Sequence, residues 1–262
     1  MWLANTMIKQ AIRKLIESSG YTIHKVTTAY NQDGLFCAHN HDFMNDPSFS
    51  KAYARGCRAA SDYQWHWRVH IGLWAAYTAN KLAGDFVECG VNYGFLSSAI
   101  MEFLDWDSLG KTFYLLDTFQ GLDPHHVSND ESPLRMGRNK SWLKSGYYVS
   151  GVESVEINFS QWKNVRIIQG SVPETLGQVE TQSIAYLHLD MNCSPPEVAA
   201  LNYFWDRLVP GAIVLLDDYG FLEHIAQKHA MDALAKEKNV MIASLPTGQG
   251  LLIKPPTSVS NT

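Results

Sequence analysis

Between residues 84 and 254 the chain repeats one pattern: a short, nearly unbroken apolar run, then a longer stretch with helical spacing of its apolar positions. Runs over 84–91, 111–117, 164–170, 183–190 and 211–218 read as strands. Apolar strands of this kind alternating with helices imply a parallel sheet covered on both faces. Segments 240–245 and 250–254 are separated only by a Pro246, Thr247, Gly248 turn and are close enough to pair as an antiparallel hairpin. The expected fold class is α/β: a doubly wound, mostly parallel seven-stranded sheet, Rossmann-like, with an antiparallel C-terminal hairpin strand and a helical N-terminal extension.

Outside that region the pattern changes. Apolar residues at 8, 11, 12, 15 and 16 form a stripe opposite Lys9, Arg13 and Lys14, which predicts an amphipathic helix ended by Gly20. Such a helix docks on its own protein, on a second subunit or on a membrane surface. A short strand is expected over 21–26. Residues 28–50 lack periodicity and read as a solvated loop; His39, His41 and Asp42 there are too loosely patterned to count as metal ligands. Two helices are expected over 48–83, the second rich in Tyr63, Trp65, Trp67, Trp74 and Tyr77. Those rings suit either packing on the sheet or the wall of a pocket for a sugar or planar group. A polar stretch over 124–146, with His125, His126, Asp130, Glu131 and Arg135, is too long for a passive connection and reads as a lid or substrate loop. The expected division is an N-terminal helical extension capping the substrate (1–83), the sheet domain (84–254) and a frayed tail (255–262).

A formal net charge of −5 without a dense Lys/Arg run argues against nucleic acid as a partner and for a small molecule. Cys37, Cys57, Cys89 and Cys193 are widely spaced with no C-x-x-C, as expected of reduced thiols in a cytoplasmic protein. No apolar run reaches the roughly 18 residues of a membrane span, so no integral membrane segment is expected.

The candidate chemistry sits at the C-terminal ends of the strands, where open α/β sheets bind ligands. Gly90 and Gly94 lie between a strand and the helix opening at Phe95, a loop that lets a ligand approach the backbone closely. The G-x-G-x-x-G dinucleotide fingerprint is absent. Glu88 at the strand's end would repel a pyrophosphate and attract the cationic methionyl end of S-adenosylmethionine. Asp117 ends the second strand at slightly more than the spacing of a ribose-binding acid, about 20 residues. The cofactor-contact candidates are Glu88, Gly90, Asn92, Gly94, Ser97, Asp117, Thr118, Gly170, Ser171 and Asp190. Asp190 ends the fourth strand, and Asp217 with Asp218 ends the fifth. Three converging carboxylates suit Mg²⁺, which could lower the pKa of an acceptor hydroxyl.

Together these segments resemble the macrocin O-methyltransferase family of class I, S-adenosylmethionine-dependent enzymes. The resemblance runs from about residue 84 to 254. It rests on 84–91, on Leu116 to Gly121, on Leu189 and Asp190, on Leu208 to Gly211 followed by Asp217, Asp218 and Tyr219, and on Thr247 to Gly250. It implies methylation of a sugar hydroxyl in a natural product or glycan, Mg²⁺ held by Asp190, Asp217 and Asp218, a glycosylated small-molecule acceptor, and a homodimer or higher homo-oligomer. Members that methylate antibiotic sugars carry an acid, the general base, two residues after the first metal Asp; here that position is Asn192. An amide cannot accept the proton, so the candidates for that step are His125 and His126 of the polar loop and His188 on the strand face of Asp190, with Asp190 catalytic as a metal ligand. Two alternatives stay open: a metal-independent or nitrogen-directed methyltransferase, and a non-catalytic relative that binds the cofactor.

Overall fold

The structure, a computed structural model, describes residues 2–21 and 29–256. The strand expected over 21–26 falls outside them apart from Tyr21, as does the tail apart from Pro255 and Pro256. Contacts divide the chain into two compact units, residues 1–41 and 42–262.

The first unit holds helix α1 (Trp2–Ser18) and a hairpin of β1 (Tyr30–Gln32) and β2 (Leu35–Cys37). Ile12 and Leu15 of the α1 stripe are exposed. The hairpin replaces the expected loop for a local reason. Asp33 and Gly34 both have positive φ, 52° and 70°, and an Asp-Gly pair of that shape makes the tight turn whose twist matches two antiparallel strands.

The second unit opens with α2 (Pro47–Ala59) and α3 (His66–Ala79). Asp46 caps α2, its carboxylate accepting from the Ser48 and Phe49 N–H groups at 2.8 and 3.1 Å. The alternating part follows: β3 (Asp85–Cys89), α4 (Phe95–Phe103), β4 (Phe113–Asp117), α5 (Ser132–Ser145), α6 (Glu153–Phe159), β5 (Val165–Gln169), β6 (Ile184–Leu189), α7 (Ser194–Phe204), β7 (Leu208–Leu216), α8 (Ile225–Glu237), β8 (Ala243–Ser244) and β9 (Gly250–Ile253). These strands form a seven-stranded sheet in the order β5-β4-β3-β6-β7-β9-β8. All pairs from β5 to β7 are parallel, and β9 joins β7 antiparallel. The expected fold class is what is found.

Strand periodicity distributes the core between two layers. Phe86, Phe113, Leu115, Tyr186, Ile213 and Leu215 pack on one face with α2, α3 and α4. Val87, Leu116, Leu187, Val214 and Leu216 pack on the other with α7 and α8. Helices α2 and α3, grouped by sequence with the N-terminal extension, are therefore part of the sheet's own core. Within the polar stretch α5 is a regular helix, stopped at Gly146 in the left-handed conformation. Among the described residues no helix is long and apolar enough to cross a membrane.

Candidate active site

The loop after β3 is held from two sides. Gly90 has φ +90°, and a β-carbon there would lie 1.9 Å from the carbonyl oxygen of Asp190, so only glycine lets β3 and β6 end side by side. Asp117, ending β4, accepts the N–H groups of Val91 at 2.7 Å and Asn92 at 2.8 Å, and that of Phe119 at 2.7 Å. The Asn92 side chain reaches the other way, donating to the Tyr147 carbonyl at 3.0 Å and accepting from the Val149 N–H at 2.8 Å. The loop is thus tied to the segment following α5. Gly94 then opens α4 from the left-handed conformation.

Parity on the sheet explains the chemistry beneath this loop. Glu88, His188 and Asp217 follow Phe86, Tyr186 and Leu215 by two residues each, so all three point to the face that carries α3. Glu88 pairs in register with His188, and its Oε1 lies 2.8 Å from His188 Nδ1. His188 Nε2 stands 3.8 Å from Asp217 Oδ1. Burial alone would lower the His188 pKa, but the carboxylates of Asp217 and Glu88 outweigh it and push it up to about 10. His188 is therefore a buried cation, 2% exposed, and not a base near neutral pH. Glu88 Oε2 is buried with no protein partner.

Arg68, from the first turn of α3, enters this row from above. Its Nη2 donates to Asp217 Oδ2 in a very short contact and stands 3.4 Å from Asp218 Oδ1. The guanidinium lies between two rings, 4.9 Å from the centroid of Trp65 and 5.1 Å from that of Phe221. Asp217 Oδ1 accepts from Gln249 Nε2 at 3.1 Å. Burial would raise the Asp217 carboxyl, yet Arg68 and His188 hold it below its usual range. Asp218 lies 3.5 Å from His224 Nδ1 and is raised by burial against the pull of that histidine. Asp190 is half-buried, and burial with the charges of Asp217 and Asp218 raises it well above the usual carboxylate range. Its Oδ1 accepts from Asn192 Nδ2 at 3.3 Å.

The donor types expected for Mg²⁺ are present at the expected strand ends, but their arrangement does not fit the ion. Both Asp217 oxygens already accept from protein donors and Arg68 bridges Asp217 to Asp218 Oδ1, while Asp218 Oδ2 lies 3.5 Å from His224 Nδ1. Among the described residues no three His, Cys, Asp or Glu side chains are disposed to hold a metal. S-adenosylmethionine fits better. The unpartnered, buried Glu88 oxygen, on a residue that lines the cavity, suits a methionyl ammonium.

A cavity joins these groups. Its wall includes Glu88, His188, Asp190, Asp217, Arg68 and Gln249 on the polar side, and Tyr63, Trp65, Tyr93, Phe95 and Leu96 on the apolar side. About 530 Å³ of non-protein space lies between them, part of it open to solvent. Glu88, Asn92 and Asp190 of the cofactor-contact candidates line it, as does Asp217 of the metal candidates. Thr118, Gly170 and Ser171 stand at neighbouring strand ends and are engaged locally, with Ser171 Oγ bonded to Asp123 and the Gly170 N–H to the Asp117 carbonyl. Ser97 is buried within α4. His125 and His126 sit in a 3-10 turn off the cavity wall, His125 exposed and His126 paired with Glu174 at 2.9 Å. Sequence reasoning assigned no role to Arg68, Tyr147 or Gln249. For Gln249 a signal existed, in the Thr247 to Gly250 segment.

A model of the family described as Macrocin-O-methyltransferase (TylF) matches residues 73–243. Mycinamicin III 3''-O-methyltransferase of Micromonospora griseorubida is 24% identical over 144 residues, 52% of this chain and 55% of that protein. The 8-demethyl-8-(2,3-dimethoxy-alpha-L-rhamnosyl)-tetracenomycin-C 4'-O-methyltransferase of Streptomyces olivaceus is 27% identical over 154 residues, 54% of this chain and 55% of that protein. The chain thus spans about half the length of each of these relatives. Among solved structures, the O-methyltransferase NovP superposes with a TM-score of 0.61 at 22% identity, covering 72% of this chain and 79% of that one, which establishes likeness of fold.

Proposed function

The chain belongs to the macrocin O-methyltransferase family, and from that premise we propose that it is an S-adenosylmethionine-dependent O-methyltransferase acting on a sugar hydroxyl of a glycosylated small molecule. The observation that carries this reading is the cavity itself, where an unpartnered buried carboxylate oxygen of Glu88 and the half-buried Asp190 share one space with an aromatic wall. S-adenosylmethionine, when bound, supplies an electrophilic methyl group and leaves as S-adenosylhomocysteine. Glu88 takes the methionyl ammonium. Asp117 holds the glycine loop in the shape that lets the cofactor approach the backbone. Tyr63 and Tyr93, on the cavity's aromatic wall, offer ring surface to the apolar side of a sugar, while Trp65 is taken up by Tyr63 stacked on it at 4.2 Å and by Arg68. Asp190 takes the proton of the acceptor hydroxyl as the oxygen–methyl bond forms: its Oδ1 meets the Asn192 amide, whereas Asp217 and Asp218 are both in contact with the Arg68 guanidinium.

The magnesium that the family resemblance implies has no step in this mechanism. Homo-oligomers and a cytoplasmic location accompany the reading as expectations, the latter in keeping with four free cysteines. A second reading, a non-catalytic cofactor-binding relative, draws its support from Asn192 standing where an acid is expected. Incubation with labelled S-adenosylmethionine and a panel of deoxysugar glycosides, followed by mass detection of one added methyl, separates the two. Calorimetric binding of S-adenosylhomocysteine without any methyl gain across the panel would favour the second; absence of binding would sink both.

A further inference from the structure

We infer that Arg68 is the resident cation of the strand-end carboxylate cluster and that this site takes no divalent metal ion. Four observations converge on it. The guanidinium contacts two of the three carboxylates that would otherwise ligate the ion. Its side chain is 9% exposed, and the Asp217 and Asp218 side chains are 10% and 12% exposed, so the pairs are shielded from competing water. Trp65 and Phe221 flank it, and a planar, weakly hydrated guanidinium is the cation suited to such a slot between rings. The same Nη2 also lies 3.3 Å from the Asp217 main-chain carbonyl, which fixes the head at the strand's end rather than on a swinging side chain.

A hard divalent ion would need the oxygens that Arg68 and Gln249 now hold. It would also have to coexist with the buried guanidinium of Arg68. Like charges that close in a shielded site repel strongly. The fixed positive charge beside the acceptor pocket is therefore supplied by the chain itself. This holds whether or not the protein methylates sugars, because it concerns occupancy of the cluster and not turnover.

Manganese titration of the full-length protein followed by electron paramagnetic resonance tests the inference, with and without S-adenosylhomocysteine. The wild type is expected to leave the free Mn²⁺ signal undiminished up to about 1 mM, and Arg68→Met, which keeps chain length and removes the charge, to take up one ion at least about tenfold more tightly. Stoichiometric uptake by the wild type below about 0.1 mM would overturn the inference. So would a folded Arg68→Met protein that gains no affinity, since the carboxylates alone would then not form an ion site for Arg68 to fill. If Arg68→Met does not fold, Arg68→Gln makes the same test, and the wild-type titration decides independently of either.

Discussion

Replacing Asp117 with alanine separates a structural from a ligand role for the acid that ends β4. In the structure its carboxylate accepts three main-chain N–H groups, from Val91, Asn92 and Phe119, at 2.7–2.8 Å. Alanine removes the acceptor and leaves three donors facing the gap. A hydrogen bond to a charged group is worth about 1.5–3 kcal/mol net. Asp117 is half-buried, so water replaces part of what is lost, and a total of about 2–4 kcal/mol is expected. For a chain of this size each kcal/mol lowers Tm by roughly 2–4 °C, so a drop of roughly 5–15 °C should appear in thermal unfolding. Because the same N–H groups shape the cofactor loop, affinity for S-adenosylhomocysteine, read by calorimetry, should fall about tenfold or more, and Asp117→Asn, which keeps one acceptor oxygen, should fall between. A variant whose Tm stays within about 2 °C of wild type refutes the loop-tie reasoning even if affinity falls, because Asp117 would then act as a ligand only.

Asp190→Asn should lower kcat by about 10²–10⁴-fold while S-adenosylhomocysteine still binds, whereas His125→Ala and His126→Ala, being off the cavity wall, should leave initial rates near wild type. Gly90→Ala combines a positive φ with a main-chain clash and should cost at least about 3 kcal/mol in urea unfolding, or prevent folding. Glu197 is buried in α7, accepts the Met191 N–H at 3.0 Å, and burial pushes its pKa up to about 8 from an ordinary 4.5. An acid raised in the folded state holds its proton there longer than in the unfolded chain. It therefore withdraws stability as pH rises from about 4.5 to about 8, by up to about 1.4 kcal/mol per unit. Glu197→Gln should flatten that part of the profile, and equal slopes for the two proteins would show that Glu197 is ionised throughout.

Most of the fold is legible in the sequence because five strands are buried on both faces, and double burial writes an apolar run that needs no partner to be read. The row of Glu88, His188 and Asp217 is not legible in that way, because spacing by two assigns a face within one strand and the row also needs the register between strands. Helix α5 is not legible either, because nothing along 132–145 has an apolar stripe. Its support comes from distant polar partners, with Arg135 on the Glu223 carbonyl and His224, and Asn139 on Leu122. The β1–β2 hairpin hides for the opposite reason: its strands are three residues each, too short for periodicity, and only the Asp33-Gly34 pair announces it.

The reading of the site turns on a contact of the most hidden kind. Asp190, Asp217 and Asp218 are visible as strand-end acids, and three such acids alone suggest a metal. What decides between an ion site and an ion-pair cluster is the cation that arrives from elsewhere. Arg68 is 149 residues from Asp217 and sits in a helix whose aromatic neighbours dominate its pattern. It reaches the cluster because α3 packs on the face toward which even-numbered β6 and odd-numbered β7 residues point. A change of register by one residue in β7 would turn Asp217 away from Arg68 and His188 toward α7 and α8, and would bring Asp218 round in its place. The charge balance of the site is therefore set by strand parity and helix placement together, and the same three aspartates would make a different site under a helix that offered no arginine.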